Sequence, residues 1–199
     1  NELALVFDAR SYQVDGRYDP HLHARLLPTL AAAERQRKAR PSGDLAAAVS
    51  GLLKQPDERL RGEALKLAGA WKLEPLRSQM EDVFHAPDAG ESLRAAALEG
   101  IASLAGELSR SFLAHLCRTN PSEKIRFAAV AKLAWVDLTL AATEAAEAFA
   151  RGSGETPPNE VLAAILQRSG GAETLARALE QKPAAADVAK LALRFMNSI

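Results

Sequence analysis

Residues 58–71 read ERLRGEALKLAGAW, and the same sentence recurs as ESLRAAALEGIASL at 91–104 and EKIRFAAVAKLAWV at 123–136. Taking the first apolar residue of each copy as its anchor gives Leu60, Leu93 and Ile125, and weaker copies follow at Val161 and Val188. The anchors are 33, 32, 36 and 27 residues apart. Four and five residues beyond them stand Ala64-Leu65, Ala97-Leu98, Ala129-Val130, Ile165-Leu166 and Ala192-Leu193. Offsets of four and five place these side chains on one stripe of a helix, a spacing no alternating strand keeps.

The residues before each anchor predict how the helix starts. Pro56, Pro121 and Pro157 lie four positions upstream, where a missing N–H costs an α-helix nothing. One position earlier stand Gln55, Asp88, Asn120, Thr156 and Pro183, three of which are good N-caps. This register puts Glu58, Glu91 and Glu123 at N3, with NPSE at 120–123 as a capping box. Arg61, Arg94 and Arg126 follow three residues after each glutamate, the spacing of an ion pair on one helix face. Repetition of this step argues for stabilised helix starts over paired catalytic groups.

Between these helices lies a second helix-compatible set: LAAAVSGLL (45–53), PLRSQMEDVF (75–84), RSFLAHLC (110–117), LAATEAAEAFA (140–150) and AETLARALE (172–180). Breakers separate the segments at Gly106, at GSGETPP (152–158) and at Gly170-Gly171. The expected architecture is therefore all-α. Five antiparallel helix pairs, at about 43–71, 75–104, 107–136, 138–168 and 171–199, stack into a right-handed α-α superhelix, because one pair cannot bury its apolar stripe alone. Residues 1–42 lie outside the pattern. There DGRYDP (15–20) predicts a turn, with Asp19 as cap and Pro20 opening a helix to about Lys38 that covers the first pair.

Composition suits this reading. The chain has 199 residues, 48% hydrophobic but only 5% aromatic, so alanine and leucine carry the core. With 25 basic and 25 acidic residues, no basic excess marks a nucleic-acid or anionic-membrane binder. No apolar run reaches the ~20 residues of a membrane span. The opening NELALVFDARSYQ lacks the basic-then-apolar order of a signal peptide. The single cysteine, Cys117, excludes an internal disulfide.

Chemistry-bearing residues are few. His21 and His23 are two apart, about 200° on a helix, which makes a poor chelating pair and favours surface histidines. His115 and Cys117 share that spacing, and Cys117 shares an apolar side with Leu113 and Leu116, as a buried small residue would. Neither C-x-x-C-H, G-x-G-x-x-G, a P-loop nor G-x-S-x-G occurs, so no catalytic, metal or cofactor residue is assigned. RQRKAR (35–40) reads as a solvated helix end, or as a phosphate contact. Trp71 aligns with Leu104 and Val136 and belongs in the core; Trp135 sits one position off that stripe, at a partly exposed place. In a superhelix the second helices line the concave side. Lys66, Glu99, Lys132 and Trp135 occupy its outward positions and form the candidate protein-binding face.

Alanine-rich, capped second helices with an arginine one step in resemble short bacterial HEAT repeats. PNEVLAAILQRSGGAETLARAL (158–179), PAAADVAKLALRFMNS (183–198), RQRKARPSGDL (35–45) and LRGEALKLAGAWKLEPLR (60–77) are further similar to the HEAT region of large planctomycete proteins of the membrane-bound dehydrogenase type. In that family a β-propeller precedes the HEAT repeats and a cytochrome c domain follows. The resemblance implies an excerpt that spaces propeller from cytochrome, in an exported or periplasmic protein, with protein partners and without catalytic or haem residues of its own. The expected function is a non-enzymatic scaffold or protein-interaction module. The competing reading is a helical-repeat enzyme or nucleic-acid binder, of the DNA-glycosylase or bilin-lyase kind.

Overall fold

The computed structural model describes residues 2–198; the outermost residues of the expected segments, Asn1 and Ile199, lie outside them. The described chain is all-α, with strand limited to one two-stranded hairpin. It divides into two compact units, Asn1–Leu104 and Ala105–Ile199.

The first unit begins with α1 (Glu2–Phe7), a 3-10 turn (Ala9–Ser11) and a hairpin of β1 (Gln13–Val14) and β2 (Arg17–Tyr18). Asp15 and Gly16, at φ 51° and 74°, supply the two positive-φ positions that a tight hairpin needs. The helix expected from Pro20 follows as α2 (Pro20–Arg37). Asp19 caps it, accepting from the N–H groups of His21 at 2.8 Å and Leu22 at 3.3 Å. Lys38, left-handed at φ 53°, closes it, while Arg35 and Arg37 place cations where the dipole favours them. Two helix pairs come next: α3 (Leu45–Leu53) with α4 (Glu58–Ala70), then α5 (Arg77–His85) with α6 (Glu91–Leu104).

In this unit α2 packs on α4 and α4 packs on α6, while α1 lies on α3. The first 40 residues, which the repeat pattern leaves out, thus continue the stacking. Leu60, Ala64, Leu65, Leu67 and Trp71 of the α4 stretch, Met80 of α5, and Leu93, Ala97 and Ile101 of α6 are buried. Each large side chain removed from water contributes about 1.5–3 kcal/mol. Helices α4 and α6 touch backbone to backbone. A Cβ added at Gly69 would lie 2.5 Å from the Gly100 carbonyl oxygen, and one at Gly100 would lie 2.6 Å from that of Leu65.

The second unit contains α7 (Gly106–Thr119), α8 (Glu123–Val136), α9 (Leu138–Ala150), α10 (Asn159–Leu166), α11 (Gly171–Gln181) and α12 (Ala186–Met196). First helices stack on first helices (α7 on α9, α9 on α11) and second on second (α8 on α10, α10 on α12). Its core gathers Leu113, Cys117, Leu133, Val161 and Ile165 around Phe127 and Phe149, whose rings meet edge-on with centroids 5.4 Å apart. The repeat register loosens here. Ile125 is only half-buried, and Leu193, the counterpart of buried Leu65 and Leu98, is 64% exposed.

The helix starts depart from expectation by two residues. Asp57 caps α4, accepting from Leu60 N–H at 2.7 Å, and Ser122 caps α8, accepting from Ile125 N–H at 3.4 Å. Pro158 stands at the start of α10 and Ala185 at that of α12, neither with a side-chain cap bond. Pro56 and Pro121 therefore precede the cap and do not open the helix, and Glu58, Glu91 and Glu123 are first helical residues, not N3. The physical reason is competition between acceptors. Asp57 directly follows Pro56 and caps better than Gln55. Asn120 is used up by a local turn, accepting from Ser122 N–H at 3.0 Å.

Candidate interaction site

The expected Glu58–Arg61 and Glu123–Arg126 bridges are not among the ion pairs of the described residues. With the helix starting later, each glutamate points to the loop of the next pair. Glu58 accepts from the Gly90 N–H at 3.0 Å. Glu123 accepts from the Ser153 N–H at 2.9 Å and from its hydroxyl at 2.7 Å. Burial pushes the Glu123 carboxyl up, yet the two Ser153 bonds, the Arg126 charge and the Thr156 N–H together hold the group below its ordinary range. The arginines turn back to their own loops. Arg94 donates to the carbonyls of Ala86 (2.9 Å) and Pro87 (3.3 Å), and Arg126 to those of Asn120 and Pro121 (both 2.9 Å). Glu58, Glu123, Arg94 and Arg126 thus fasten loops.

The histidines divide. His21 is exposed, 3.9 Å from Asp57. His23, expected at the surface, is 1% exposed. The correction has a plain cause: residues 5–18, which the repeat pattern could not place, fold over this face of α2 and cover the ring. Its plane stacks on Tyr12 with centroids 3.9 Å apart. Cys117 is fully buried, and burial pushes its thiol up to about 12, far from a thiolate nucleophile at neutral pH. In RQRKAR, Arg40 pairs with Glu34 at 2.9 Å and donates to the Trp71 carbonyl at 3.0 Å, while Arg35, Arg37 and Lys38 are solvated. Among the described residues no group of three or more histidine, cysteine or acidic side chains is placed to hold a metal, and no helix is long and apolar enough to cross a membrane.

The two tryptophans have opposite fates. Trp71 is 1% exposed, with Phe7 edge-on against it at 6.2 Å. Trp135 is 55% exposed near the end of α8, and the guanidinium carbon of Arg168 lies 5.2 Å from its ring centroid. This cation–π contact leaves more than half of the indole exposed. The other candidate residues are half-buried: Lys66, bonded to Glu63 at 2.9 Å, on α4, Glu99 on α6, and Lys132 one turn before Trp135 on α8. Lys66 and Glu99 belong to the first unit, Lys132 and Trp135 to the second. Within each unit the pair shares the second-helix layer. Arg168 is not among the residues the sequence singles out; it lies 33 positions after Trp135, about one repeat, and that spacing does not by itself mark a contact.

No family model, curated protein or solved structure matches this chain.

Proposed function

We propose that the chain is a non-enzymatic helical-repeat scaffold of the HEAT type, which binds protein through its second-helix face with Trp135 as the anchor. The observation that carries the reading is the contrast between the tryptophans. Trp71 is sealed in the core, whereas Trp135 keeps 55% of its surface open. A large indole in water forfeits hydrophobic free energy that a partner would recover, and Arg168 holds it ready, which reduces the ordering cost of binding. Tryptophan and arginine are the residue types most enriched among energetic anchors of protein interfaces. The resemblance to the planctomycete dehydrogenase spacer supports the same role, with neighbouring domains of a longer redox protein as partners.

Peptides selected from a random library on the immobilised protein test this. Binders should lose at least about tenfold in affinity for Trp135→Ala, the cost of truncating a modest anchor, and be indifferent to Glu180→Ala. Selection that yields no peptide sensitive to position 135 would overturn the reading, as would a steep salt-dependent affinity for DNA.

A further inference from the structure

The N-terminal segment is fastened by one buried imidazole. The His23 Nε2 lies 3.1 Å from the Val6 carbonyl oxygen, and its Nδ1 lies 3.1 Å from the Tyr18 hydroxyl. A carbonyl only accepts, so Nε2 carries the proton and Nδ1 accepts from Tyr18. The Val6 carbonyl also accepts from the Tyr12 hydroxyl at 2.6 Å, and Asp19 N–H returns a bond to the Tyr12 carbonyl at 2.8 Å. Around the ring stand Tyr12 in a parallel stack, Tyr18 edge-on at 6.1 Å and Phe7 tilted at 6.5 Å. One neutral side chain thus joins α1, the 3-10 turn, the hairpin and α2.

We propose that residues 5–18 form a pH-gated strap, which His23 holds closed while neutral and releases when it takes a second proton. The neutral ring has both nitrogens satisfied. A proton on Nδ1 would meet the hydroxyl hydrogen of Tyr18, forcing that hydroxyl to reverse, and would place a cation at a position 1% exposed among three aromatic rings. The charged groups of the surrounding elements do not offer that cation a partner. Asp8 of the strap is held by Arg10 at 2.5 Å. Asp15 is exposed at the hairpin turn. Asp19 caps α2, and Asp57 at the start of α4 lies 3.9 Å from His21; both acids bear on Tyr18, whose hydroxyl they hold above its ordinary range after burial does the same.

Burial pushes the His23 imidazole down, against the smaller opposing pull of the Val6 bond. The sign follows. Above the ordinary histidine value of about 6.5, open and closed forms are both neutral and closure is at full strength. Below it the open form takes the proton first, so closure weakens as pH falls. If the closed ring stays neutral, the opening constant rises about 10-fold by pH 5.5 and about 30-fold by pH 5.0. Opening withdraws Phe7 from Trp71, which gives the event a fluorescent reporter.

The test is amide exchange of residues 5–18 in the full chain between pH 7.5 and 5.0, corrected for intrinsic rates, with Trp71 emission followed in a Trp135→Phe background. Wild type and His21→Gln should show the about 10-fold loss of protection by pH 5.5. His23→Gln, whose amide can donate to Val6 and accept from Tyr18 without titrating, should show none. The same acid response in His23→Gln, or a flat response in wild type, overturns the proposal. Should circular dichroism show His23→Gln unfolded, the proton titration of His23 in wild type decides: a midpoint below 6.5 upholds the strap, and one at or above 6.5 overturns it.

Discussion

Replacing Gly69 with alanine tests the close packing of α4 against α6. The new methyl carbon would lie 2.5 Å from the Gly100 carbonyl oxygen, 2.7 Å from the Gly100 Cα and 2.8 Å from the Ser103 Cβ. Ordinary contact needs about 1 Å more, and two of the three obstacles are backbone, so α4 and α6 must part. Overpacking of this kind costs about 1–3 kcal/mol. The gain in helix propensity returns at most about 1 kcal/mol, which from the middle of that range leaves a net loss of about 1 kcal/mol. Exposed Gly51 on α3 is the control, because nothing lies within 4 Å of its added methyl. Gly51→Ala should stabilise by about 0.5–1 kcal/mol. Urea and thermal unfolding, followed by far-ultraviolet circular dichroism and by Trp71 emission in a Trp135→Phe background, measure both. For a unit of this size each kcal/mol moves the midpoint about 4–8 °C, so the two variants should diverge in opposite directions. A Gly69→Ala midpoint equal to or above wild type, alongside the expected gain for Gly51→Ala, would refute the close approach of these helices.

Ala105, the first residue of the second unit, holds φ 62° and ψ −163°, a conformation nearly reserved for glycine. Ala105→Gly should raise stability by about 1 kcal/mol in urea titrations, despite the greater freedom of the unfolded glycine. Cys117 should resist thiol reagents at pH 8 until unfolding, reacting at the global opening rate; fast labelling of the native chain would contradict its burial. Asp137 accepts from Leu140 N–H at 3.0 Å and from Arg110 at 2.8 Å. Its carboxyl is held low first by the Leu140 bond and also by Arg110, so its stabilisation is full above the ordinary aspartate value of about 3.9 and fades as pH falls below it. Asp137→Ala should cost about 1–2 kcal/mol at pH 7 and less at pH 3, as read from urea midpoints.

Much of the helix content was legible because it is a local property. Offsets of zero, four and five from Leu60 and Leu93 place Ala64, Leu65, Ala97 and Leu98 on one stripe, and all are buried. Asp19 and Pro20 announce α2, and Cys117 and Trp71 lie in the core as their apolar neighbours suggest. The cap register was misread because Gln55 and Asp57, or Asn120 and Ser122, are both within reach of a helix start. The winner is the oxygen that meets a free N–H, a matter of ångströms that residue type alone does not fix. The glutamate–arginine step was visible, but its partners were not. Gly90 and Ser153 lie about 30 residues away and come within 3 Å only when one pair stacks on the next.

The same division governs the two candidate sites. Amino-acid order by itself determined that helices form, where their apolar stripes run, and that a tryptophan at position 135 falls off the stripe, since each follows from 3.6-residue periodicity and the chemistry of near neighbours. Tertiary structure alone decided that Arg168 lies over that indole and that residues 5–18 bury His23. Those outcomes depend on contacts between segments that no local period connects, and the free energy that selects them arises only when the helices are packed.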